Sequence, residues 1–241
     1  MTAETLRSLH IPGKPLILPN AWDAASARAV QEAGFPAVAS GSHAVAEVLG
    51  YDDGEGTPVA EMLAAVARMA RSVDVPVTAD LERGYGLDPA ELVERLLATG
   101  AVGCNLEDST ADAMVDVHRQ ADYLAAVRQA AGDALVINAR VDTYVRGTRE
   151  RADAVARAKA YLEAGADCVY PITLGEREEV AAFVAEVPGP VNILFRPGTP
   201  DLADLAELGV ARVSYGGGLH RAAHHYAVSL IAAVAEGRSP Y

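Results

Sequence analysis

The sequence predicts a single (β/α)8 barrel, an α/β fold, that spans residues 1–241. The chain has 241 residues, a length at which α/β barrels commonly form one domain. Short apolar segments alternate with amphipathic helical segments, which is the pattern of parallel βαβ units. No Pro/Ser-rich linker or change in composition divides the chain. These observations together favour one domain over two.

Eight short apolar segments are the strand candidates, and each is followed by a loop and a helical segment. They are residues 16–18, 37–39, 75–79, 102–106, 136–139, 168–170, 191–194 and 212–215. Related glycine-containing sequences end four of the helices, at 32–35, 98–101, 163–166 and 207–210. Eight repeats of one unit in a chain of this size favour a closed barrel over an open sheet.

The composition narrows the class of partner. A formal net charge of −13 argues against nucleic acids and anionic membranes, because their phosphates repel an acidic protein. No apolar run reaches the ~18 residues that a spanning helix needs, and residues 1–12 lack the layout of a signal peptide. We therefore expect a cytoplasmic protein that binds a small metabolite. Cys104 and Cys168 each lie in an apolar run, which predicts buried core residues.

Acidic side chains follow two neighbouring strands at the end where barrel enzymes place their active sites. Asp80 and Glu82 follow the third strand, and Glu107 and Asp108 follow the fourth. Residues two apart in a strand point the same way, so Asp80 and Glu82 are expected to converge. Carboxylate oxygens suit Mg2+, and Arg140 lies one strand further on. The alternatives are helix caps and solvated loop acids.

Three further features leave alternatives open. Asp53 lies in the glycine-rich loop 50–56, which either points inward or is a polar surface turn. Residues 216–218 are three glycines that either cradle a phosphate or, as we prefer, let the last loop turn. His220 and His224 lie four residues apart on the last helix, predicted over 219–236, where we expect a surface or subunit contact.

Six strand-end segments occur in a characteristic order: 19–23, 40–42, 50–53, 78–86, 105–108 and 139–142. Together, from about residue 15 to residue 220, they resemble the isocitrate lyase/phosphoenolpyruvate mutase superfamily. The resemblance implies a Mg2+-dependent barrel enzyme that acts on 2-oxo- or 2-hydroxy-carboxylates. The shared intermediate of that superfamily is an enolpyruvate-like anion.

The resemblance also implies a role for individual residues. Asp80 ligates Mg2+, while Glu82 and Glu107 hold the ion directly or through water. Asp53 belongs to the catalytic loop, and Arg140 pairs with the substrate carboxylate. The predicted substrate-binding residues, besides Arg140, are Trp22 as a wall of the pocket, the backbone amides around Ser40, Gly41 and Ser42, and Asn192 in the seventh strand.

The sequence departs from the superfamily in the loop after the fourth strand, residues 109–119. That loop lacks the cysteine and lysine pair of the carbon–carbon lyases and the asparagine of the phosphonate-processing members. His118 or Arg119 either replaces the missing group or lies on a helix surface. We expect a lyase that cleaves a carbon–carbon bond or decarboxylates its substrate. The alternatives are phosphorus–carbon chemistry and a binding protein that has lost catalysis.

The last helix predicts a homo-oligomer. Its apolar residues form a stripe wider than one barrel face requires. Members of the resembled superfamily commonly associate by exchanging this helix. The stripe comprises Leu219, Ala222, Ala223, Ala227, Val228, Leu230, Ile231, Val234 and Ala235.

Overall fold

Parallel strands form a ring in the computed structural model, which describes residues 2–110 and 113–241. The strands are β1 (Leu16–Leu18), β2 (Asn20–Ala21), β3 (Val38–Ser40), β4 (Val77–Asp80), β5 (Gly103–Glu107), β6 (Val136–Val141), β7 (Cys168–Pro171), β8 (Asn192–Leu194) and β9 (Arg212–Ser214). The helices are α1 (Ala3–Ser8), α2 (Ala24–Glu32), α3 (Ser42–Leu49), α4 (Val59–Ala70), α5 (Pro89–Ala98), α6 (Val117–Ala131), α7 (Arg151–Glu163), α8 (Arg177–Glu186), α9 (Leu202–Glu207) and α10 (Gly218–Ala235).

Two contacts close the ring. Strands β2 to β7 pair in sequence order, while β9 pairs with both β1 and β8. Val169 forms a parallel bridge with Val191, which joins β7 to the start of β8. Pro19, which has no N–H to donate, separates β1 from β2, so these are two halves of the first barrel strand. The predicted (β/α)8 barrel is confirmed.

The strand register places the polar strand ends next to one another. Asp80 is paired with Asn105 across β4 and β5, and Glu107 is paired with Arg140 across β5 and β6. Neighbouring residues in register project to the same face of a sheet. The register therefore gathers the side chains of β4, β5 and β6 at one end of the barrel.

Apolar side chains fill the space between the barrel and its helices. A smaller cluster closes the opposite end of the barrel, where Leu6 of α1 packs with Leu16 and Leu18. Cys104 and Cys168 are free and fully buried, as predicted. None of the helices in the described ranges is long and apolar enough to cross a membrane.

The last helix packs weakly on its own chain. Only His220 and Ala233 are buried among the 18 residues of α10. Ile231 is 68% exposed and Val234 is 59% exposed. The predicted apolar stripe is therefore present and open to solvent.

Asp167 connects three parts of the chain at the end of the barrel remote from the strand ends that carry Asp80. Its carboxylate accepts hydrogen bonds from Arg7 Nε at 2.6 Å and from the Ile137 backbone N–H at 2.7 Å. It also accepts a bond from Arg128 Nη2. The side chain is 13% exposed, so water cannot fully replace these bonds.

We expect Asp167→Ala to lower the free energy of unfolding by about 1–3 kcal/mol, because it leaves charged donors without their acceptor. Urea denaturation followed by circular dichroism measures the change. Asp133→Ala, at an exposed position near Arg7, is the matched control. Equal stabilities of the two variants would contradict the assigned role of Asp167.

Candidate active site

A cavity of about 410 Å3 opens at the carboxyl ends of the strands. Five of the residues predicted from the sequence line it: Gly41, Ser42, Asp53, Asp80 and Arg140. Other lining residues were not predicted: Asn20, His43, Asn105, Tyr170, Phe195, Arg196, Tyr215 and Arg221. The cavity is the candidate active site, because it unites the predicted carboxylate with the predicted cation.

Hydrogen bonds from neighbouring strand ends fix the Asp80 carboxylate. Its Oδ2 accepts from the Ser42 backbone N–H at 3.1 Å and from Ser42 Oγ at 2.8 Å. Its Oδ1 accepts from Asn105 Nδ2 at 3.3 Å. The Asp80 backbone N–H donates to Ser40 Oγ at 2.9 Å. Ser40 and Ser42 therefore position Asp80, a role that the sequence did not reveal.

A buried polar group inside the barrel orients Asn105. Asn105 Oδ1 accepts from Asn138 Nδ2 at 2.8 Å and from Arg212 Nη2 at 3.3 Å. With its oxygen occupied in this way, the amide directs its N–H2 group toward Asp80. Arg212 is fully buried, and burial lowers the pKa of its guanidinium. Arg212 thus places a positive charge inside the barrel, separated from Asp80 by Asn105.

Glu82 and Asp80, which the strand alternation predicted to converge, line different cavities. Strand β4 ends at Asp80, and Glu82 adopts a left-handed φ of 49°, so the pleat no longer sets its direction. Its side chain is buried and accepts hydrogen bonds from Tyr85 Oη at 2.8 Å and from the Glu55 backbone N–H. With Glu107 it lines a separate, smaller cavity of about 80 Å3.

The guanidinium of Arg140 already contacts two acidic side chains of the same protein. Arg140 Nε and Nη2 donate to the two oxygens of Asp142 at 2.6 and 2.8 Å, and Nη1 pairs with Glu107. We predicted that the guanidinium pairs with a substrate carboxylate. Because Asp142 takes the two-bond edge, a substrate has access only to the remaining donors on the cavity side.

Burial and neighbouring charges shift the pKa values of Glu107 and Arg140. Burial raises the pKa of Glu107 well above its usual range, which Arg140 opposes, while the charges of Asp142, Asp80 and Glu82 raise it further. Burial alone lowers the pKa of Arg140, but its bonds to Asp142 and the charge of Glu107 outweigh that effect and raise it. Clusters of perturbed acids and bases are typical of functional sites.

Asp108 serves the scaffold. It is fully buried and accepts hydrogen bonds from Tyr161 Oη at 2.6 Å, Arg157 Nη1 at 3.1 Å and the Asp142 backbone N–H at 2.8 Å. These donors leave it no contact with the cavity. Of the three other acids expected here, Asp80 lines the large cavity, and Glu82 and Glu107 line the small one.

The loop 50–56 approaches the cavity from the side of α3. Asp53 lies on the cavity wall, which favours the inward orientation that the sequence left open. Its Oδ2 is 3.5 Å from Nδ1 of His43. Through the backbone N–H of Glu55, the same loop also contacts Glu82. The loop therefore touches both the large and the small cavity.

Two predicted substrate-binding residues lie elsewhere. Trp22 does not wall this cavity; it lines the adjacent apolar groove, and its ring meets that of His220 at 5.0 Å. Asn192 is fully buried inside the barrel and donates to Ser214 Oγ at 3.0 Å. Trp22 is oriented by His220 and Asn192 by Ser214. These partners are distant in the sequence, so the position of each residue in its strand does not reveal its orientation.

The residues considered as replacements for the missing cysteine lie outside the cavity. His118 and Arg119 are exposed at the start of α6, where their backbone N–H groups donate to Asp116. This placement agrees with the helix-surface interpretation. Ala111 and Asp112 of the same loop lie outside the described residues.

The two histidines of the last helix differ in environment. His220 is buried, with Nδ1 3.3 Å from Glu47 Oε2, so the surface position is wrong for this residue, while the subunit contact stays a prediction. The reason is its packing against Trp22. His224 is exposed, as expected.

Asp80, Glu82 and Glu107 are the predicted carboxylates that could hold a magnesium ion. Within residues 2–110 and 113–241, no three His, Cys, Asp or Glu side chains are arranged to bind one metal ion directly. Mg2+ commonly keeps several waters and uses only one or two carboxylates. In this donor set Asp80 would contact the ion, and Glu82 and Glu107 would act through water.

Comparison with known proteins identifies the family. The family model of phosphoenolpyruvate phosphomutase matches residues 6–235. An uncharacterised protein of Mycobacterium tuberculosis is 37% identical, over 91% of this chain and 86% of its own. The chain belongs to the isocitrate lyase/phosphoenolpyruvate mutase superfamily.

Solved structures and named relatives agree with this membership. A crystal structure from Burkholderia cenocepacia, described as a candidate phosphonomutase, is 42% identical with a TM-score of 0.90; the match covers 95% of this chain and 98% of that one. A structure of phosphonopyruvate hydrolase with oxalate and Mg2+ is 26% identical with a TM-score of 0.88; the match covers 99% of this chain and 89% of that one.

Two named relatives agree as well. A 2-methylisocitrate lyase of Bacillus subtilis is 28% identical, over 73% of this chain and 61% of its own. An oxaloacetate decarboxylase of Bradyrhizobium is 30% identical, over 87% of this chain and 76% of its own. The superfamily thus comprises lyases, mutases and hydrolases.

Glu82 makes the stability of the metal-free chain depend on pH. Burial raises the pKa of Glu82 to about 7, whereas an unfolded glutamate has a pKa of about 4.3. The folded chain binds this proton more tightly than the unfolded chain does. The contribution is complete below about pH 4 and is lost as the pH rises through about 7.

We therefore expect the free energy of unfolding to fall between pH 5 and pH 8, and Glu82→Gln to reduce that fall by about 1–3 kcal/mol. Urea denaturation in the presence of a chelator measures both curves. Glu94→Gln, on the exposed side of α5, is the matched control. An unchanged pH dependence in Glu82→Gln would show that the buried carboxyl is not responsible.

Proposed function

We propose that this protein is a Mg2+-dependent lyase that acts on a small 2-oxo- or 2-hydroxy-carboxylate. It cleaves a carbon–carbon bond, or decarboxylates its substrate, through an enolpyruvate-like intermediate. The observation that carries the proposal is the placement of Asp80 and Arg140 on one cavity, each fixed by neighbouring strand ends. Membership of the superfamily supports it, as do relatives named for such reactions.

Different residues of the cavity would bind the substrate and the metal ion. Arg140 supplies positive charge for the substrate carboxylate, through the donors that Asp142 and Glu107 leave free. Asp80, Glu82 and Glu107 would hold Mg2+, which when bound stabilises negative charge on an enolate oxygen. The Ser42 backbone N–H is committed to Asp80 and that of Gly41 to the carbonyl of Ala21, so the amide of His43, in the first turn of α3, is better placed to meet a substrate oxygen.

Proton transfer to the enolate requires no dedicated acid in a decarboxylase, because water can deliver that proton. The loop 109–119 supplies no cysteine for the task. Among the reactions of the superfamily, decarboxylation is therefore the one that this loop impairs least.

Phosphorus–carbon bond cleavage or transfer is the second candidate. It is favoured by the 42% identity to the candidate phosphonomutase structure. The same enolpyruvate-like leaving group serves both reactions, so Asp80 and Arg140 keep their roles. The identity of the substrate distinguishes phosphorus–carbon from carbon–carbon bond cleavage.

We expect oxaloacetate, 2-methylisocitrate or phosphonopyruvate to release pyruvate, and a chelator to abolish the reaction. Coupled detection of pyruvate, with and without Mg2+, measures it. Turnover of phosphonopyruvate alone would select the second candidate. No turnover of any substrate, together with Mg2+-dependent thermal stabilisation by oxalate, would identify a binding protein instead.

Replacing Asp80 with Asn should lower kcat/KM by more than about 100-fold, because the amide removes the charge that would hold the ion. Asp74→Asn, at an exposed position away from the cavity, is the matched control. Mg2+ affinity measured by calorimetry should fall in parallel. Full activity of Asp80→Asn would exclude this carboxylate as the ligand.

We also propose that α10 packs against a second copy of this chain. Beside α2 lies an apolar groove of about 640 Å3, lined by Trp22, Phe35, Leu219 and an alanine face of α2. The exposed stripe of α10 is apolar, like this groove. Burial of Ile231 and Val234 would contribute about 1.5–3 kcal/mol for each side chain.

Light scattering should therefore give a mass above that of one chain at micromolar concentration. The double substitution Ile231→Asp and Val234→Asp should yield monomers, because it places charges on the apolar stripe. Val48→Asp, at an exposed apolar position on α3, should leave the assembly intact. A monomeric wild-type protein would refute the assembly.

A further inference from the structure

His43 is the one histidine among the described residues that line the large cavity. It directly follows Ser42, which donates to Asp80 from both its backbone N–H and its hydroxyl, at 3.1 and 2.8 Å. The residue that fixes the predicted metal ligand therefore also fixes the start of the His43 side chain. That side chain is 46% exposed, so water reaches the ring as well.

Charged groups from α3, from the loop before α4 and from α10 lie around the imidazole of His43. Nδ1 is 3.5 Å from Asp53 Oδ2, and Nε2 is 3.8 Å from Glu47 Oε2. On the side of α10, a Cβ atom built on Gly217 would lie 3.0 Å from His43 Cδ2 and 2.8 Å from Arg221 Nη1. The imidazole therefore lies between two carboxylates and one guanidinium, and the glycine permits this close approach.

The two carboxylates leave the N–H groups of the ring available. Both distances are longer than the ~2.7–3.2 Å of an ordinary N–H···O hydrogen bond. A carboxylate beside an imidazole orients the ring for proton transfer in general acid–base sites. Asp53 and Glu47 can therefore direct the His43 ring without taking up the proton that a ligand in the cavity would receive.

The tyrosines and arginines on the cavity wall are poorer sources of a proton. Burial raises the pKa of Tyr170 and that of Tyr215, so neither phenol loses its proton readily near neutral pH. The guanidinium groups keep their protons in proteins. A histidine side chain, by contrast, changes its charge between about pH 5 and 8. On the wall of this cavity, His43 is the side chain suited to proton transfer.

We propose that His43 is the proton donor that converts the enolate to pyruvate, in place of the cysteine that the loop 109–119 lacks. The assignment rests on the proposed function, since the enolate is its intermediate. It holds for decarboxylation and for phosphorus–carbon cleavage, because both reactions leave the enolate of pyruvate.

The step is a single proton transfer. The carbon–carbon double bond of the enolate supplies the electron pair for a new C–H bond at its terminal carbon, and an N–H of the His43 imidazolium supplies the proton. The enolate oxygen becomes the carbonyl oxygen of pyruvate. The neutral imidazole then regains a proton from water, to which its partly exposed ring has access.

Asp53 acquires a defined role in this step. Its carboxylate lies beside Nδ1 of His43 on the same cavity wall, where it orients the ring instead of exchanging a proton with the substrate. Asp53 is thus a positioning residue. Its loss leaves the acid present but less well oriented.

The reverse of the step tests the proposal without any cleavage reaction. In D2O with Mg2+ present, neutral His43 should remove a proton from the methyl group of pyruvate and return a deuteron. Loss of the methyl proton signal in NMR measures the exchange. The wild-type protein should accelerate it at least about 100-fold over protein-free buffer.

His43→Gln should slow the exchange by about 100-fold or more, because general acid–base catalysis contributes at least that factor. Asp53→Asn should slow it by a smaller factor. Added imidazole should restore exchange to His43→Ala, whose small side chain leaves room for it, and not to Asp53→Asn. His118→Gln, at the exposed start of α6, is the matched control.

Oxalate binding in the presence of Mg2+ verifies that the variants keep a folded site. Oxalate has no carbon that accepts a proton, so His43→Gln should bind it as tightly as the wild-type protein does.

The outcomes separate this acid from the proposed reaction. Exchange that depends on His43, without cleavage of any substrate, keeps the acid and removes the lyase activity. Cleavage and exchange at wild-type rates in His43→Gln overturn the acid and keep the reaction. A wild-type protein that does not exchange pyruvate, or a His43→Ala variant that imidazole fails to restore, also overturns the acid.

Discussion

Closure of the strand ring is the constraint on which the stability and the site both depend. Every barrel strand is paired on both sides, through the sheet ladders or the Val169–Val191 bridge. Closure brings the carboxyl ends of all strands around one cavity. Asp80 shows the result, since it receives hydrogen bonds from the strand on either side, at Ser42 and Asn105. An open sheet would separate the two halves of the cavity.

Charge inside the barrel is balanced locally. Asp142 and Glu107 surround Arg140, Arg157 and Tyr161 satisfy Asp108, and Asn105 stands between Arg212 and Asp80. Arg140 and Asp108 thus have opposite charges in contact, as burial demands, whereas the buried Arg212 donates only to the neutral oxygens of Ser214 and Asn105. Asp80 differs from the other acids because it borders the large cavity. This difference leaves Asp80, together with Asp53 of the loop 50–56, available to a ligand.

The sequence predicts the barrel well because its signals are local. Buried strands appear in the sequence as apolar runs, and helix ends appear as glycine motifs. The predicted bounds agree with the structure to within two residues, except that β2 was not predicted. Asp80 and Arg140 could be found because they follow such strands. Glu82 could not be placed, because the alternation of side chains stops where the strand stops and a left-handed φ follows.

Contacts between residues distant in the sequence could not be predicted either. Arg212 and Asn105 are 107 residues apart, and no short-range pattern links them. The same applies to Asn192, whose inward direction depends on Ser214. The occupation of the Arg140 fork by Asp142 involves residues two apart. Even so, it follows from side-chain geometry that a one-dimensional pattern does not contain.

If α10 packs against a second copy of the chain, as proposed, the order of the cavity mouth depends on protein concentration. Helices in proteins draw most of their stability from tertiary packing, and α10 buries just two of its residues on its own chain. Its first turns carry Arg221 and begin beside Gly217. Fraying of this helix at high dilution would therefore loosen the rim of the pocket and leave the strand ends, with Asp80 and Arg140, in place. Binding of ligands that reach the rim would become cooperative with assembly, whereas binding of ligands that stay at the strand ends would not.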